Sequence, residues 1–404
     1  MKLRTLSALS LACISATTSY AADNFLSQTK FSLDTRLRYE MVDQDNKLDN
    51  AEAFTLRIRP ALQTGSWHGL SGFVQGEGTL ELNDHFNSTR NAETGYSSVP
   101  DPENLQLNQL YLKYVYSPKA DLTVGRQVIN LDNQRFVGSV AWRQNDQTFD
   151  AVSLNIKPTQ QLGLYYAYID QVNTIFGSEE PKPKYVVAQD GEQDSEIHLI
   201  QAKFNYNPLL NATAYGYFMD FEDLPAWSNQ TYGLRLTGKN KNLRYVAEYA
   251  KQSEYADQPT SYDADYYTFE LGYNVGAAKP LGEIAIGYEV LGSDDGKIGF
   301  QTPLATKHKF NGWTDVFLNT PANGLTDLYL SSNLNILKQG KLGTEYHHYR
   351  SDEKNMDYGQ EFAVSFTHPL PLKGLSALGK FSSYQAEDYG VNTDKFWLQL
   401  DYKY

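Results

Sequence analysis

From residue 29 onward the chain alternates between apolar and polar positions. In "KFSLDTRLRYEM" Phe31, Leu33, Leu37, Tyr39 and Met41 share one parity, and Ser32, Asp34, Arg36, Arg38 and Glu40 share the other. Successive side chains on a strand point to opposite faces, so period two over this length predicts a strand with one face in an apolar medium. "FTLRIRPAL" repeats the pattern, with Phe54, Leu56, Ile58, Pro60 and Leu62 set against Arg57 and Arg59. "LSGFVQGEGTLEL" puts Leu70, Val74, Leu80 and Leu82 opposite Ser71, Gln75, Glu77, Thr79 and Glu81. In the first half the pattern predicts strands near 29–41, 52–64, 68–82, 105–117, 121–131, 146–157, 162–172, 196–206 and 210–221. The second half gives 230–238, 242–254, 264–276, 282–291, 325–336, 341–350, 359–369, 375–386 and 394–404, eighteen in all.

The connections alternate in length. "SPKAD", "KPTQQ", "NYNPLLN", "GKNKN", "GAAKPLG", "LKQGK" and "PLPLKG" are short and rich in Pro, Gly, Lys and Asn, as tight turns require. Longer loops lie between them, such as 83–104, 173–195 and 292–324. Short turns at one end and long loops at the other mark an outer-membrane barrel, the short turns periplasmic and the long loops extracellular. A soluble sandwich also alternates, because each of its sheets has one wet face. It does not need strands of near-uniform length. In lipid every backbone N–H and C=O must be paired, and a closed barrel achieves that. The expected fold class is all-β: a transmembrane antiparallel β-barrel of eighteen strands.

Composition agrees and adds a destination. Tyrosine is frequent, at 30 residues against 4 Met, and the mean hydropathy is −0.52. The N-terminus, "MKLRTLSALSLACISATTSYAAD", has the layout of a secretory signal peptide. Lys2 and Arg4 precede an apolar stretch from Leu6 to Ile14, and Ser19-Tyr20-Ala21 is a small-x-small cleavage signal. Cleavage after Ala21 is expected, leaving 22–404 as the barrel. It removes Cys13, the one cysteine, and with Lys2 and Arg4 gone the formal charge moves from −13 to −15. An acidic exported chain of this kind speaks against a nucleic-acid partner. Its expected surroundings are outer-membrane lipid and lipopolysaccharide.

The chain ends in "FWLQLDYKY". Phe396, Leu398, Leu400, Tyr402 and Tyr404 share the lipid-facing parity. A closing strand must pair with the first strand to abolish the sheet edges. The same row is expected to serve as the signal that the barrel-assembly machinery reads.

An eighteen-stranded barrel is wide enough for an aqueous channel, so chemistry is sought on the inward face. Arg36, Arg38, Arg57, Arg59, Arg235 and Arg244 sit inside strands on the polar parity, while lysines mostly occupy turns and loops. Folding the first hairpin about its loop brings Arg36 near Arg57. Like charges opposite one another destabilise a sheet. Two offsets are open: an internal ion-pair ladder with Asp34, Glu40, Glu77 and Glu81, or a basic track that replaces water around an anionic solute. Residues 124–154 stand apart, because their middle carries Arg135, Phe136, Trp142, Arg143 and Asn145. Such a loop either folds inward to narrow the pore or packs on its neighbours outside. Arg126 shares parity with Leu122 and Val124. Arginine on the lipid face costs about 2–4 kcal/mol near the midplane, so a bulge at Gly125 that turns Arg126 inward is expected.

Other chemistry finds little support. An enzyme on a barrel wall needs a nucleophile, a base and an orienting group that converge. No G-x-S-x-G is present, and His347 and His348 are adjacent on a strand and so face opposite ways. "DQDNKLDNAEAF" begins like a calcium loop, but Lys47 and Leu48 stand where a ligand and glycine are required. No cofactor, metal or catalytic residue is expected. An adhesin using only external loops is the remaining alternative.

"VGRQ", "DNQRFVG" and "WRQNDQTFDA", together with "TPLATKHKFNGWTDVFLNTP" and "GLTDLYL", resemble the alginate-export family of outer-membrane barrels. The resemblance covers nearly the whole mature chain. It implies eighteen strands and an arginine-rich, anion-selective lumen, with Arg126, Arg135 and Arg143 in lumen roles. It also marks His308, Trp313 and Asp315 as family-pattern loop residues. Dedicated exporters of this family carry an extended periplasmic turn, whereas every candidate periplasmic turn here is short. That departure favours a passive porin for small anionic or sugar-like solutes over an exporter of an acidic polysaccharide.

Overall fold

The computed structural model describes residues 25, 27–177, 191–276 and 281–404; the expected leader over 1–21 lies outside them. Among the described residues eighteen long strands form one sheet. They are β1 Lys30–Gln44, β2 Ala51–Gln63, β3 Leu70–Glu81, β4 Asn104–Ser117, β5 Ala120–Gln127, β6 Thr148–Ile156, β7 Leu162–Asn173, β8 Glu192–Asn207 and β9 Leu210–Phe221. The rest are β10 Asn229–Asn240, β11 Leu243–Glu254, β12 Asp263–Val275, β13 Gly282–Leu291, β14 Leu325–Ile336, β15 Gly340–Arg350, β16 Asp357–Pro369, β17 Leu375–Ala386 and β18 Thr393–Lys403. A small ladder, Ser293–Asp294 with Ile298–Gly299, stands apart from them.

Each strand pairs antiparallel with its sequence neighbours, and β1 pairs with β18 from Asp34↔Lys403 to Gln44↔Thr393. The sheet is therefore closed and has no edge to offer another chain. Past the last strand, Tyr404 continues the closure: its N–H donates to Leu33 O at 2.9 Å, and its carbonyl accepts from Leu33 N at 3.1 Å. The closing row points as expected, with Leu398 and Leu400 outward and Trp397 and Gln399 buried inside.

The outward parity exposes Leu110, Leu112, Phe269, Ile286, Leu330 and Leu398, each about half exposed or more. In water such a belt would be a very large apolar patch; in lipid it is the matching surface. Pro60 lies on this outward row, and without an N–H it breaks the β2–β3 ladder, which skips from Ile58↔Gly78 to Ala61↔Gln75.

The predicted strands agree with the observed ones to within a few residues, with one instructive exception. β5 stops at Gln127 rather than continuing to 131, because Ile129 and Leu131 leave the wall and bury inside the barrel. Register shifts between Gln75 and Gly76 in the β3–β4 ladder and between Asp150 and Ala151 in the β6–β7 ladder involve the two strands that flank this exit, where bulges commonly re-aim a chain.

Candidate functional site

Two loops leave the extracellular rim and fold into the lumen: 128–147, between β5 and β6, and 292–324, between β13 and β14. The inward alternative for the first loop is thus the one the chain adopts. Each loop is seated by a phenylalanine among tyrosines, most of them on the wall. Phe136 packs against Tyr266 at 5.2 Å, Tyr215 at 5.4 Å and Phe300 at 5.9 Å between ring centroids. Phe317 packs against Tyr349 at 4.5 Å, Tyr389 at 5.4 Å and Tyr384 at 5.7 Å. These seats give the lumen a hydrophobic core of its own.

The loops also join each other. Gly138 N donates to Leu304 O at 2.9 Å and Thr306 N to Gln134 O at 3.1 Å. Trp142 stacks on His308 with ring centroids 4.4 Å apart and planes 4° from parallel. Arg143 donates to Asp315 at 2.8 Å and to Glu40 of the wall at 3.2 Å. Asp101, from the β3–β4 loop, caps this junction by accepting from Gln144 N at 2.8 Å.

The wall holds the 292–324 loop through polar groups. Asn311 donates to Glu289 at 2.8 Å and Asp327 at 3.0 Å, and the Trp313 and Thr314 amides donate to Glu361. Gly312 makes that approach feasible: its φ is 88°, and a Cβ there would lie 2.3 Å from Glu361 Oε2.

The strand arginines hold the 128–147 loop from the other side. Arg36 donates to Trp142 O at 2.9 Å, Arg38 to the same oxygen at 2.6 Å, and Arg59 to Gln144 O at 2.9 Å. Their other edges find carboxylates or amides: Asp401 for Arg36 at 2.9 Å, Gln399 for Arg38 at 2.7 Å, Glu77 and Asp146 for Arg59. Arg57 pairs with Asp34, and its Nε and Nη1 have no hydrogen-bond partner. Arg36 and Arg57 are Cα partners across β1 and β2, the juxtaposition expected from the hairpin. Glu77 also accepts from Gln106 at 2.9 Å. Of the expected ladder carboxylates, Asp34, Glu40 and Glu77 meet arginines, while Glu81 instead accepts from Asn91 and the Glu103 amide.

Arg135 lies inside, 3.0 Å from Glu289 and 4.8 Å from the Phe310 ring centroid. Arg235 pairs with Glu248, and Arg244 bridges Glu270 and Glu283 at 2.6 Å each. These two line a cavity of about 330 Å³ under Phe310 and Asn311, with Tyr329, Ser331 and Glu345 also on its wall.

Arg126 departs from expectation. Gly125 has φ 120°, yet the β4–β5 and β5–β6 ladders run through Gly125 and Arg126 without a register shift. Arg126 therefore keeps the outward parity of Val124 and of Leu110 across the ladder. Asp150, on the same outward row, offsets its charge with two hydrogen bonds of 2.7 and 2.8 Å. A bidentate neighbour, rather than a bulge, makes the arginine tolerable there.

Inward parity also marks Lys380 and Lys395, which the arginine pattern does not include: both lie inside strands and face the lumen. Lys395 donates to Asp315 at 2.8 Å. Lys380 Nζ lies 4.1 Å from the Trp142 ring, 3.8 Å from Trp313 and 5.2 Å from Trp397, and donates to His308 Nε2 at 2.7 Å. His308 Nδ1 is 2.6 Å from Asp315. Burial drives His308 well below the usual histidine range, against the pull of Asp315. Burial alone would raise the Asp315 carboxyl, but His308, Lys395 and Arg143 hold it well below the usual carboxylate range. The contacts agree with a neutral ring: Nε2 accepts from the ammonium and Nδ1–H donates to the carboxylate.

The fold is shared with solved outer-membrane barrels of Pseudomonas aeruginosa. OccK1 (OpdK) superposes with a TM-score of 0.72 at 14% identity, covering 94% of this chain and 99% of that one. OpdK with vanillate gives 0.72 at 13% identity, covering 94% and 99%. OpdL gives 0.69 at 19% identity, again covering 94% and 99%. No curated protein matches by sequence. The sequence profile of the alginate export family matches residues 27–379. With that match running through most of its length, this eighteen-stranded barrel of the bacterial outer membrane belongs to the alginate export family.

Proposed function

We propose that the protein is a passive channel for small anionic or sugar-like solutes, not an enzyme and not a conduit for a polymer. The observation that carries this reading is the joining of two loops across the lumen, each with an aromatic seat in the wall. A lumen narrowed in this way suits small solutes; a polysaccharide would have to displace both seats. Arg36 and Arg57 are the residues proposed to favour anions, since both face the interior and their two positive charges lie side by side across β1 and β2. Arg38, Arg59, Arg143, Arg235, Arg244 and Glu77 are proposed to shape the lumen through ion pairs, and Arg135 by holding Asn311. Arg126, on the outward row, is not in that set. One solved neighbour of the same fold, OpdK, was obtained with vanillate, a small carboxylate of the size and charge class proposed here.

Two further readings concern the route to the membrane. The leader over 1–21 directs export, leaving 22–404 as the barrel, and the row Phe396, Leu398, Leu400, Tyr402 and Tyr404 is recognised by the barrel-assembly machinery. The channel reading is tested by recording purified protein in a planar bilayer under a salt gradient. It predicts discrete conductance steps with a reversal potential displaced toward anions; an absence of conductance would leave the adhesin reading.

A further inference from the structure

We propose that Lys380 is the positioning residue of the constriction, pinning both inward loops to one point on the wall, and that protonation of His308 releases the pin. Lys380 projects from β17 between Trp142 of one loop and Trp313 of the other, with Trp397 of β18 beside it. An ammonium is attracted to the face of each indole, so one wall residue ties together two loops that approach from opposite sides of the barrel. Its remaining direction is set by His308, whose Nε2 accepts a hydrogen bond from the ammonium at 2.7 Å.

That acceptor exists only while the imidazole is neutral. A proton on Nε2 would turn the acceptor into a donor and put two cations 2.7 Å apart. The other charges around His308 do not absorb this. Asp315 is already shared with Arg143 from the first loop and Lys395 from β18, both at 2.8 Å. Arg38 of β1 lies 4.1 Å from the Trp142 ring and adds positive charge. Glu40 of β1 is committed to Arg143, and Glu361 of β16 to the Trp313 and Thr314 amides. Glu345 of β15 accepts from His347 at 3.4 Å. Protonation therefore expels Lys380 from the cage, and with it the shared anchor of the two loops.

The sign follows from linkage. His308 is held below its unfolded value, so its contribution is complete above the usual histidine range, declines as pH falls below that range and is lost as pH falls through the depressed value. Single-channel recording from about pH 8 to about pH 5 covers the onset of that decline. In the wild type the ratio of wide to narrow conductance levels should rise below about pH 6.5, by up to about tenfold per pH unit for one proton. His308→Asn keeps a donor toward Asp315 and cannot titrate, so the rise below about pH 6.5 should be lost. Lys380→Met should populate the wide level at every pH. Lys380→Arg, which can still lie between the two indoles, should restore the narrow level.

A flat wild-type profile, an unchanged profile in His308→Asn, or a wild-type narrow level in Lys380→Met would overturn the proposal. If Lys380→Met yields no heat-modifiable barrel on a gel, the His308→Asn profile decides alone. The readout is loop release, so it stands or falls apart from the identity of the solute.

Discussion

Arg36 and Arg57 face each other as Cα partners across the first hairpin, and each is paired with a different carboxylate, Asp401 and Asp34. Two guanidinium groups so placed would destabilise the ladder, and the flanking carboxylates offset that without removing the N–H donors left over on Arg57. The ion-pair ladder is what the structure contains. The basic track is the use we propose for the positive charge that this pair adds to the lumen.

Replacing both arginines, Arg36→Ala with Arg57→Ala, leaves Asp34 and Asp401 without their cations. The anion-to-cation permeability ratio should then fall about fivefold, corresponding to about 1 kcal/mol of charge interaction in a water-filled lumen. Reversal potential in a salt gradient measures it. An unchanged ratio would remove these residues from the selectivity account.

Gly312→Ala should lift the 292–324 loop from the wall, since the new methyl meets Glu361 Oε2 at 2.3 Å on a backbone of positive φ. Overpacking of this kind costs about 1–3 kcal/mol. A larger and noisier single-channel current, with the barrel still heat-modifiable on a gel, is the expected outcome.

Much of the barrel was legible because lipid imposes period two on every strand. The interior was less so. Tyr215, Tyr217, Met219 and Phe221 are inward-facing on β9, and Ile197 and Leu199 on β8, all buried. A wet wall does not need such residues; their apolar inward parity was the signal that a loop covers them. His308, Trp313 and Asp315 carried a family pattern but no assignable task, because their partners Trp142, Lys380 and Lys395 are far away in sequence and only closure of the barrel brings them together. Arg126 was misplaced for a related reason: parity gave its outward face correctly, and Asp150, which neutralises it, lies one strand over.

Phe136→Ala should empty the seat among Tyr215, Tyr266 and Phe300. Loss of a buried phenylalanine costs about 3–5 kcal/mol. The 128–147 loop should become accessible to protease in intact vesicles while the barrel persists, and Phe136→Leu should behave closer to wild type.

Asp315→Asn removes the acceptor shared by Arg143, Lys395 and His308, leaving buried cations without a carboxylate at a cost of about 3–5 kcal/mol. The Asp315 carboxyl is held low, so its contribution is present above the ordinary carboxylate range and is lost only as pH falls through its depressed value. Mild acid should therefore act through His308 and leave Asp315 ionised. In Asp315→Asn the wide conductance level should dominate already at neutral pH.

The central claim, a narrowed passive channel that prefers small anions, is tested most directly by liposome swelling with neutral, cationic and anionic sugars of graded size. Fast swelling with small anionic and neutral sugars, slower swelling with cationic ones of equal size, and none with long oligosaccharides is the predicted result. Equal rates for both charges, or ready entry of long acidic oligosaccharides, would contradict it.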